Sequence, residues 1–287
     1  MIQTIIAKPT GLLNDYVCYF AVQEFDSFEE ELLKPMHAKH EIIMMFMINC
    51  KMHDFINNTH NSPMYVINKT TGPDCIFSGL LTSSKGSIVF KGHVKLLTIH
   101  FKPTGFYWLF DISPAEITNR LGASSDLFSE HVISLHEQLQ EAKTSMEMFS
   151  LTEKFLIERL QRQKTRKGCC SILKISEFLI RQPIAFSIEK FAYQTCMSLK
   201  TLERKFIEQV GICPKLFERI RRFNMALDIK IGQPKLSWTN ICYQTGYYDQ
   251  NHFIKDFTEF AGETPCSFFK NSPPLAENIS SVFDHAD

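Results

Sequence analysis

The sequence predicts an α+β chain: a β-rich N-terminal domain with following helices, then an all-α C-terminal domain. Three observations carry this. Short apolar runs bounded by turn residues fill the first hundred or so positions. A helical period sets in after Gly105. A pattern of spaced residues near the C-terminal end then occurs twice.

The strand candidates come first. Ile42–Ile48 is a continuous apolar run, as a buried strand requires. Tyr65-Val66-Ile67, Cys75-Ile76-Phe77 and Ser87-Ile88-Val89-Phe90 are bounded by Asn, Gly, Pro and Ser. Val94–Phe101 is another, ended by Lys102-Pro103. Short strands in this density predict a small antiparallel sheet or barrel. Among the aromatic residues here, Phe46, Phe77, Phe90, Phe101, Phe106 and Phe110 read as core, with an apolar ligand pocket as the alternative. Tyr107-Trp108, after a Pro-Thr-Gly turn, suits a domain or dimer interface.

Ser113-Pro114 fits an N-cap followed by proline at the first helical position, and predicts a helix on to Leu121. Longer helical patterns follow near 129–142 and 145–163. The basic run Arg162–Gly168 marks a linker. The expected organisation is a regulatory domain over 1–161, a linker over 162–170, a DNA-binding domain over 171–270, and a disordered tail over 271–287.

Charge follows the same division. The chain has 31 Lys and Arg and 31 Asp and Glu. Residues 1–161 hold 13 basic against 18 acidic, residues 162–270 hold 18 against 10, and the tail holds none against 3. A basic segment beside an acidic one suggests a nucleic-acid partner for the former. No run approaches the roughly 18 apolar residues of a membrane span, and no export signal opens the sequence. The 9 cysteines are odd in number and irregularly spaced. They read as reduced thiols of a cytoplasmic protein.

The repeat is the most informative feature. Phe206, Glu208, Gly211, Pro214 and Phe217 recur as Phe257, Glu259, Gly262, Pro265 and Phe268, 51 residues on. Tyr193-Gln194-Thr195 recurs as Tyr243-Gln244-Thr245. One residue inserted in a turn accounts for the different offset. Each copy reads as a helix-turn-helix. In the first, a helix over 188–195 and a turn at Cys196-Met197 lead to Ser198 as N-cap. Leu199, Leu202 and Phe206 then share an apolar face, opposite Lys200, Thr201 and Arg204, with Glu203 at the edge. In the second, a helix over 238–244, a positive-φ turn at Gly246 and an N-cap at Asp249 precede the inward Phe253 and Phe257. Asn251 and Lys255 face out, with Gln250, His252 and Ile254 flanking them. Such a helix can enter the major groove: Lys and Arg suit guanine, Asn and Gln suit adenine, Glu can accept from cytosine. The connecting helix, expected over 214–231, carries Arg219, Arg221 and Arg222.

These residues resemble the AraC/XylS family of transcription regulators, whose DNA-binding domain has two helix-turn-helix units joined by a long helix. The resemblance covers about 171–270. It is carried by Gly246-Tyr247-Tyr248-Asp249-Gln250-Asn251-His252-Phe253-Ile254-Lys255-Asp256-Phe257, by Gly262-Glu263-Thr264-Pro265, and by Arg222-Phe223-Asn224-Met225-Ala226. It implies Lys200, Glu203 and Arg204 as base readers of the first unit, and Gln250, Asn251 and Lys255 as those of the second. Ser198, Thr201, His252 and Arg222 complete the candidate DNA-contact set, with His252 either touching phosphate or packing. Tyr247 departs from a usual Phe. Asp256 adds an acid to the second reading helix. Less specifically, Leu13–Phe20 and His100–Phe106 resemble AraC-type regulators whose N-terminal domains bind an effector, dimerise, or both. The implied partners are double-stranded DNA, a small-molecule effector, RNA polymerase and a second copy of the chain, with no membrane.

Other chemistry is weaker. His37-Ala38-Lys39-His40-Glu41, with His53 and His60 downstream, lacks the His-Glu-x-x-His arrangement. Structural or exposed histidines are expected there rather than metal ligands. Cys169-Cys170 is no zinc site by itself. There is no phosphate-cradling glycine loop and no Gly-x-Ser-x-Gly elbow, so neither cofactor nor enzyme activity is expected. The alternative is a small-molecule-binding or enzymatic N-terminal domain with the helical half as a partner-binding module.

Overall fold

The computed structural model describes residues 3–26, 32–48, 52–56, 75–90, 93–123, 130–162, 170–181 and 187–271. The expected strand at Tyr65–Ile67, residues His60 and Cys169, the bulk of the linker and the tail after Asn271 lie outside them. The strands are β1 Gln3–Ala7, β2 Val17–Asp26, β3 Leu32–Pro35, β4 Ile42–Ile48, β5 Met52–Ile56, β6 Cys75–Ser78, β7 Ser87–Phe90, β8 His93–Phe101 and β9 Leu121–Ala123. Six form one antiparallel sheet in the order β1-β2-β8-β4-β6-β9, and three form a second, β3-β7-β5. In the register, β8 lies between β2 (Phe20 opposite Ile99) and β4 (Met44 opposite Ile99). Phe20, Met44 and Ile99 are fully buried, so this central triplet anchors the sheet core.

Helices α1 Gly105–Phe110 and α2 Pro114–Ile117 lead from the sheet, and α3 Glu130–Glu141 and α4 Ser145–Arg162 form a helical hairpin. A correction falls at α2, which ends at Ile117 and not Leu121. Thr118 leaves the helical region at ψ 133° and Asn119 takes φ +62°. The Asn119 side-chain carbonyl accepts from the Thr82 backbone N–H at 2.9 Å, and its amide donates to the Thr82 hydroxyl at 2.8 Å. That distant partner turns the chain into β9.

The C-terminal helices are α5 Cys170–Arg181, α6 Ile188–Gln194, α7 Leu199–Val210, α8 Pro214–Gly232, α9 Trp238–Gln244, α10 Gln250–Ala261 and α11 Pro265–Asn271. Their core is aromatic: Phe206, Phe217, Phe223, Phe253, Phe257 and Phe260 are all fully buried. This core is continuous with that of the sheet. Among the described residues, no helix is long and apolar enough to cross a membrane.

Candidate nucleic-acid interface

The two units repeat down to individual hydrogen bonds. Ser187 caps α6 by accepting from Lys190 N at 3.2 Å, and Ser237 caps α9 by accepting from Asn240 N at 3.2 Å. Thr195 donates its hydroxyl to Phe191 O at 2.7 Å; Thr245 donates to Ile241 O at 2.8 Å. Met197 N donates to Ala192 O at 3.0 Å and Tyr247 N to Cys242 O at 3.1 Å. The turn needs a left-handed residue, and the second unit places Gly246 there at φ +74°. In the first, Cys196 fills that position at φ +51°.

The reading helices are capped alike. Ser198 Oγ accepts from Thr201 N at 3.2 Å, and Asp249 Oδ1 from His252 N at 2.8 Å. Each such cap stabilises a helix by about 1 kcal/mol. Both helices stop at a left-handed glycine, Gly211 (φ +106°) and Gly262 (φ +85°). Pro214 and Pro265 then open the next helices, α8 and α11.

Of the sequence-predicted contacts, Lys200, Glu203, Arg204, Gln250, Asn251, His252 and Lys255 are exposed on the two reading helices, and Thr201 is half-buried. Ser198 is exposed at the cap, its hydroxyl 2.9 Å from that of Thr201. Arg204 is held loosely along α7 by Glu208 at 3.7 Å. Gln250 donates to the Thr239 hydroxyl at 2.5 Å, which points its amide back over α9.

Two acid and base residues sit elsewhere than the period suggests. Asp256 is buried, 5% exposed, and bonded to Arg219 Nη2 at 2.7 Å. It therefore ties α10 to α8 and sets no acid against DNA phosphate. Arg219 also pairs with Glu259 at 2.7 Å and lies 5.0 Å over the Phe260 ring. Arg222 is half-buried, its guanidinium 4.7 Å over the Tyr247 ring and donating to Gly246 O at 3.4 Å. It braces the turn of the second unit, away from the row of exposed side chains. The Tyr247 hydroxyl is buried, and burial followed by the charge of Asp256 raises its pKa above the ordinary tyrosine value.

Sequence reasoning misplaced Leu199, and set Ile254 only at the flank of the outward face. Leu199 is 44% exposed at the first position of α7, not packed on the inner face. Ile254, 42% exposed, stands in the second unit where Glu203 stands in the first. Aligning the two copies residue by residue pairs Leu199 with Gln250 and Glu203 with Ile254, which is the signal that finds both.

The N-terminal domain grips the back of both units. Ser113 donates to Glu208 O at 2.8 Å, Tyr107 to Glu208 Oε1 at 3.1 Å, and Thr118 to Gly211 O at 3.3 Å, all at the C-terminal end of α7. Ala38 N donates to Phe260 O at 2.9 Å, at the end of α10. Asn224 of α8 donates to Ala38 O at 2.8 Å, and its own carbonyl accepts from His40 Nδ1 at 2.6 Å. Because Asn224 Oδ1 can only accept, Nδ1 is the protonated nitrogen of His40. The His37–Glu41 run is thus an interdomain contact. Among the described residues, no group of three or more His, Cys, Asp or Glu side chains is placed to hold a metal.

Residues 191–271 match a family model described as a helix-turn-helix domain. No curated protein matches the chain in sequence. Among solved structures, one of ToxT from Vibrio cholerae O395 is 12% identical, covering 96% of this chain and 99% of that one, at a TM-score of 0.46. A 1.65 Å structure of ToxT from Vibrio cholerae is also 12% identical, covering 94% and 98%, at 0.47. The DNA-binding domain of AdpA, a global transcriptional factor solved with a target DNA, is 18% identical, covering 36% and 96%, at 0.32. These likenesses are too loose to transfer residue roles.

The duplicated, doubly capped units at 191–271 define a DNA-binding protein of the helix-turn-helix class, a transcription regulator. The run Gly246–Phe257 and the long α8 between the units are the features by which this helix-turn-helix domain resembles the AraC/XylS type.

Proposed function

We propose that α7 and α10 read two successive major-groove turns of one duplex, while the first 161 residues set how the two helices are held. The observation that carries this is the pairing of two equivalent exposed faces with one N-terminal domain bonded behind both. At about 1.5 Å per residue, the 19 residues of α8 extend about 28 Å. This is close to the roughly 34 Å between groove turns, so one chain suffices for two half-sites. Lys200, Glu203, Arg204, Asn251 and Lys255 are the base readers, with Gln250 joining once its bond to Thr239 is exchanged. Leu199 and Ile254 supply apolar contacts of the kind that thymine methyl groups accept. Ser198, Thr201 and His252 lie at the helix N-termini, where phosphate is favoured. Linker 162–170 joins this reader, 171–270, to the regulatory domain. A small-molecule effector, RNA polymerase and a second copy of the chain are the further partners of this reading.

The test is fluorescence anisotropy with the full chain, a selected site and random duplex. Arg204→Ala and Lys255→Ala each weaken the selected site by about 1–3 kcal/mol and random duplex much less. Equal loss on both would reduce these residues to phosphate contacts.

A further inference from the structure

The two reading helices offer DNA the same positions but not the same chemistry. Both have 12 residues, and both run from a side-chain cap to a left-handed glycine. Equivalent positions are therefore counted from Ser198 in α7 and from Asp249 in α10. The first, second, fifth and sixth residues after the cap are exposed in both helices, and the fourth is buried, as Leu202 or Phe253. At about 100° per residue, the second, fifth and sixth share one stripe about 100° wide. They span about 6 Å along the helix, less than two base steps of about 3.4 Å, so they meet neighbouring base pairs.

On that stripe α7 carries Lys200, Glu203 and Arg204, and α10 carries Asn251, Ile254 and Lys255. The sixth position is a cation in both, suited to the O6 and N7 acceptors of guanine. Arg204 has only its loose 3.7 Å pairing with Glu208 to exchange for the base. The first position asks for an A·T pair in both, through the thymine methyl for Leu199 and through adenine for Gln250. The other two positions differ in kind. Lys200 suits guanine and Glu203 accepts from the amino group of cytosine, so both ask for G·C pairs. Asn251 matches the N6 and N7 edge of adenine, and the wholly apolar Ile254 packs on the thymine methyl, so both ask for A·T pairs. Among the described residues, the side chains of Lys200, Glu203, Asn251 and Lys255 are engaged in no hydrogen bond or ion pair, whereas Gln250 is held by Thr239.

We propose that the target is an unequal pair of half-sites. Each holds a guanine under the sixth position. Under the second and fifth, the half-site of α7 is G·C where that of α10 is A·T. The chain accordingly binds its duplex in one direction only. The inference rests on the reading that both helices enter the major groove, and it names the sequence class they take there.

The experiment is selection from a random duplex library with the full chain, as wild type and as Lys200→Asn/Glu203→Ile. The double variant gives α7 the residues of α10 at the two positions that differ, both of them exposed, and its fold is checked by thermal melting. The wild type should retain one half-site of each composition. The variant should retain sites whose first half-site has changed to A·T at two positions, with its guanine and the second half-site unaltered. A second measurement needs no variant of α7: deoxyuridine replaces the thymine under Ile254, which removes only the methyl group. Binding should weaken about fourfold, the worth of one buried methyl group, in the wild type and not in Ile254→Ala. Two half-sites of like composition in the wild type, an unchanged motif in the folded variant, a loss spread evenly over all sequences, or indifference to deoxyuridine would overturn the inference. Failure of the DNA-reading proposal looks different: the wild type then enriches no motif and binds every sequence alike, and the inference falls with it.

Discussion

Replacing His37 by phenylalanine should flatten the acid side of the protein's stability profile. His37 is 7% exposed, with its ring edge-on to Phe223 of α8 at 5.8 Å and to Phe268 of α11 at 6.0 Å. Burial, then the charges of Lys39 and Lys34, hold its pKa down to about 3 from an ordinary 6.5. On the α8 side, Asp228 lines the same small cavity, as do His40 and Glu41 from the N-terminal domain. The depressed value fixes the sign. Between pH 6.5 and pH 3 the unfolded chain holds a proton that the folded chain refuses, so stability falls as the pH drops. From pH 7 to pH 5 the effective span is about 1.4 pH units, and at 1.36 kcal/mol per unit the loss is about 2 kcal/mol. At roughly 2–4 °C per kcal/mol for a chain of this order, that is about 4–8 °C in the melting temperature. Other groups leave the comparison intact. Burial alone would raise the Glu41 pKa, but the hydrogen bond and charge of His100 outweigh it and hold it near 2. Its contribution is therefore lost only below pH 4.5. Burial lowers the His100 pKa against the opposing pull of Glu41, and this acts in both proteins alike. The assay is thermal melting of wild type and His37→Phe at pH 7 and pH 5, at constant ionic strength. Equal losses in the two proteins would refute the reasoning.

Three further outcomes follow from the packing. Arg219→Met strands the buried Asp256 carboxylate, and should lower stability by about 3 kcal/mol, read by thermal melting; Arg219→Met/Asp256→Asn should recover part of it. Gly211→Ala places a Cβ 2.8 Å from Thr118 Oγ1 and 3.0 Å from Pro114 Cβ, at φ +106°. It should cost about 1–3 kcal/mol and loosen α2 from α7, seen as faster amide exchange at the end of α7. Gly232→Ala, with nothing within 4 Å of the new Cβ and at the end of α8, should be neutral or stabilising by up to about 1 kcal/mol in the same melts.

Much of the fold was legible where short-range pattern decides it. β4 and β6–β8 were found because apolar runs there are bounded by turn residues, and α3, α4 and α6–α10 because their period or caps are local. β2 was not read as a strand. Val17–Val22 is a continuous apolar run of the kind that marked β4, and the strand runs on through the polar Gln23 and Glu24 to Asp26. The end of α2 depends on Thr82, 37 residues from Asn119, and no local pattern encodes it. The same division runs through the candidate interface. Periodicity turned Lys200, Arg204, Asn251 and Lys255 outward, as the structure does. The inward turns of Asp256 and Arg222 depend on Arg219 and Tyr247, partners that only the folded packing brings near. The histidines of the His37–Glu41 run were read as structural or exposed; His37 and His40 are buried against α8, a contact that only the folded packing brings about.

The central claim is that one chain reads two half-sites. It is tested most directly by selecting genomic fragments with the full chain at two salt concentrations and sequencing what is retained. The expected result is a motif with two short half-sites about one helical turn apart, and binding that weakens steeply as salt rises. Arg204→Ala should relax one half-site and Lys255→Ala the other. Retention of all fragments alike, or a single half-site blurred by both variants together, would contradict it.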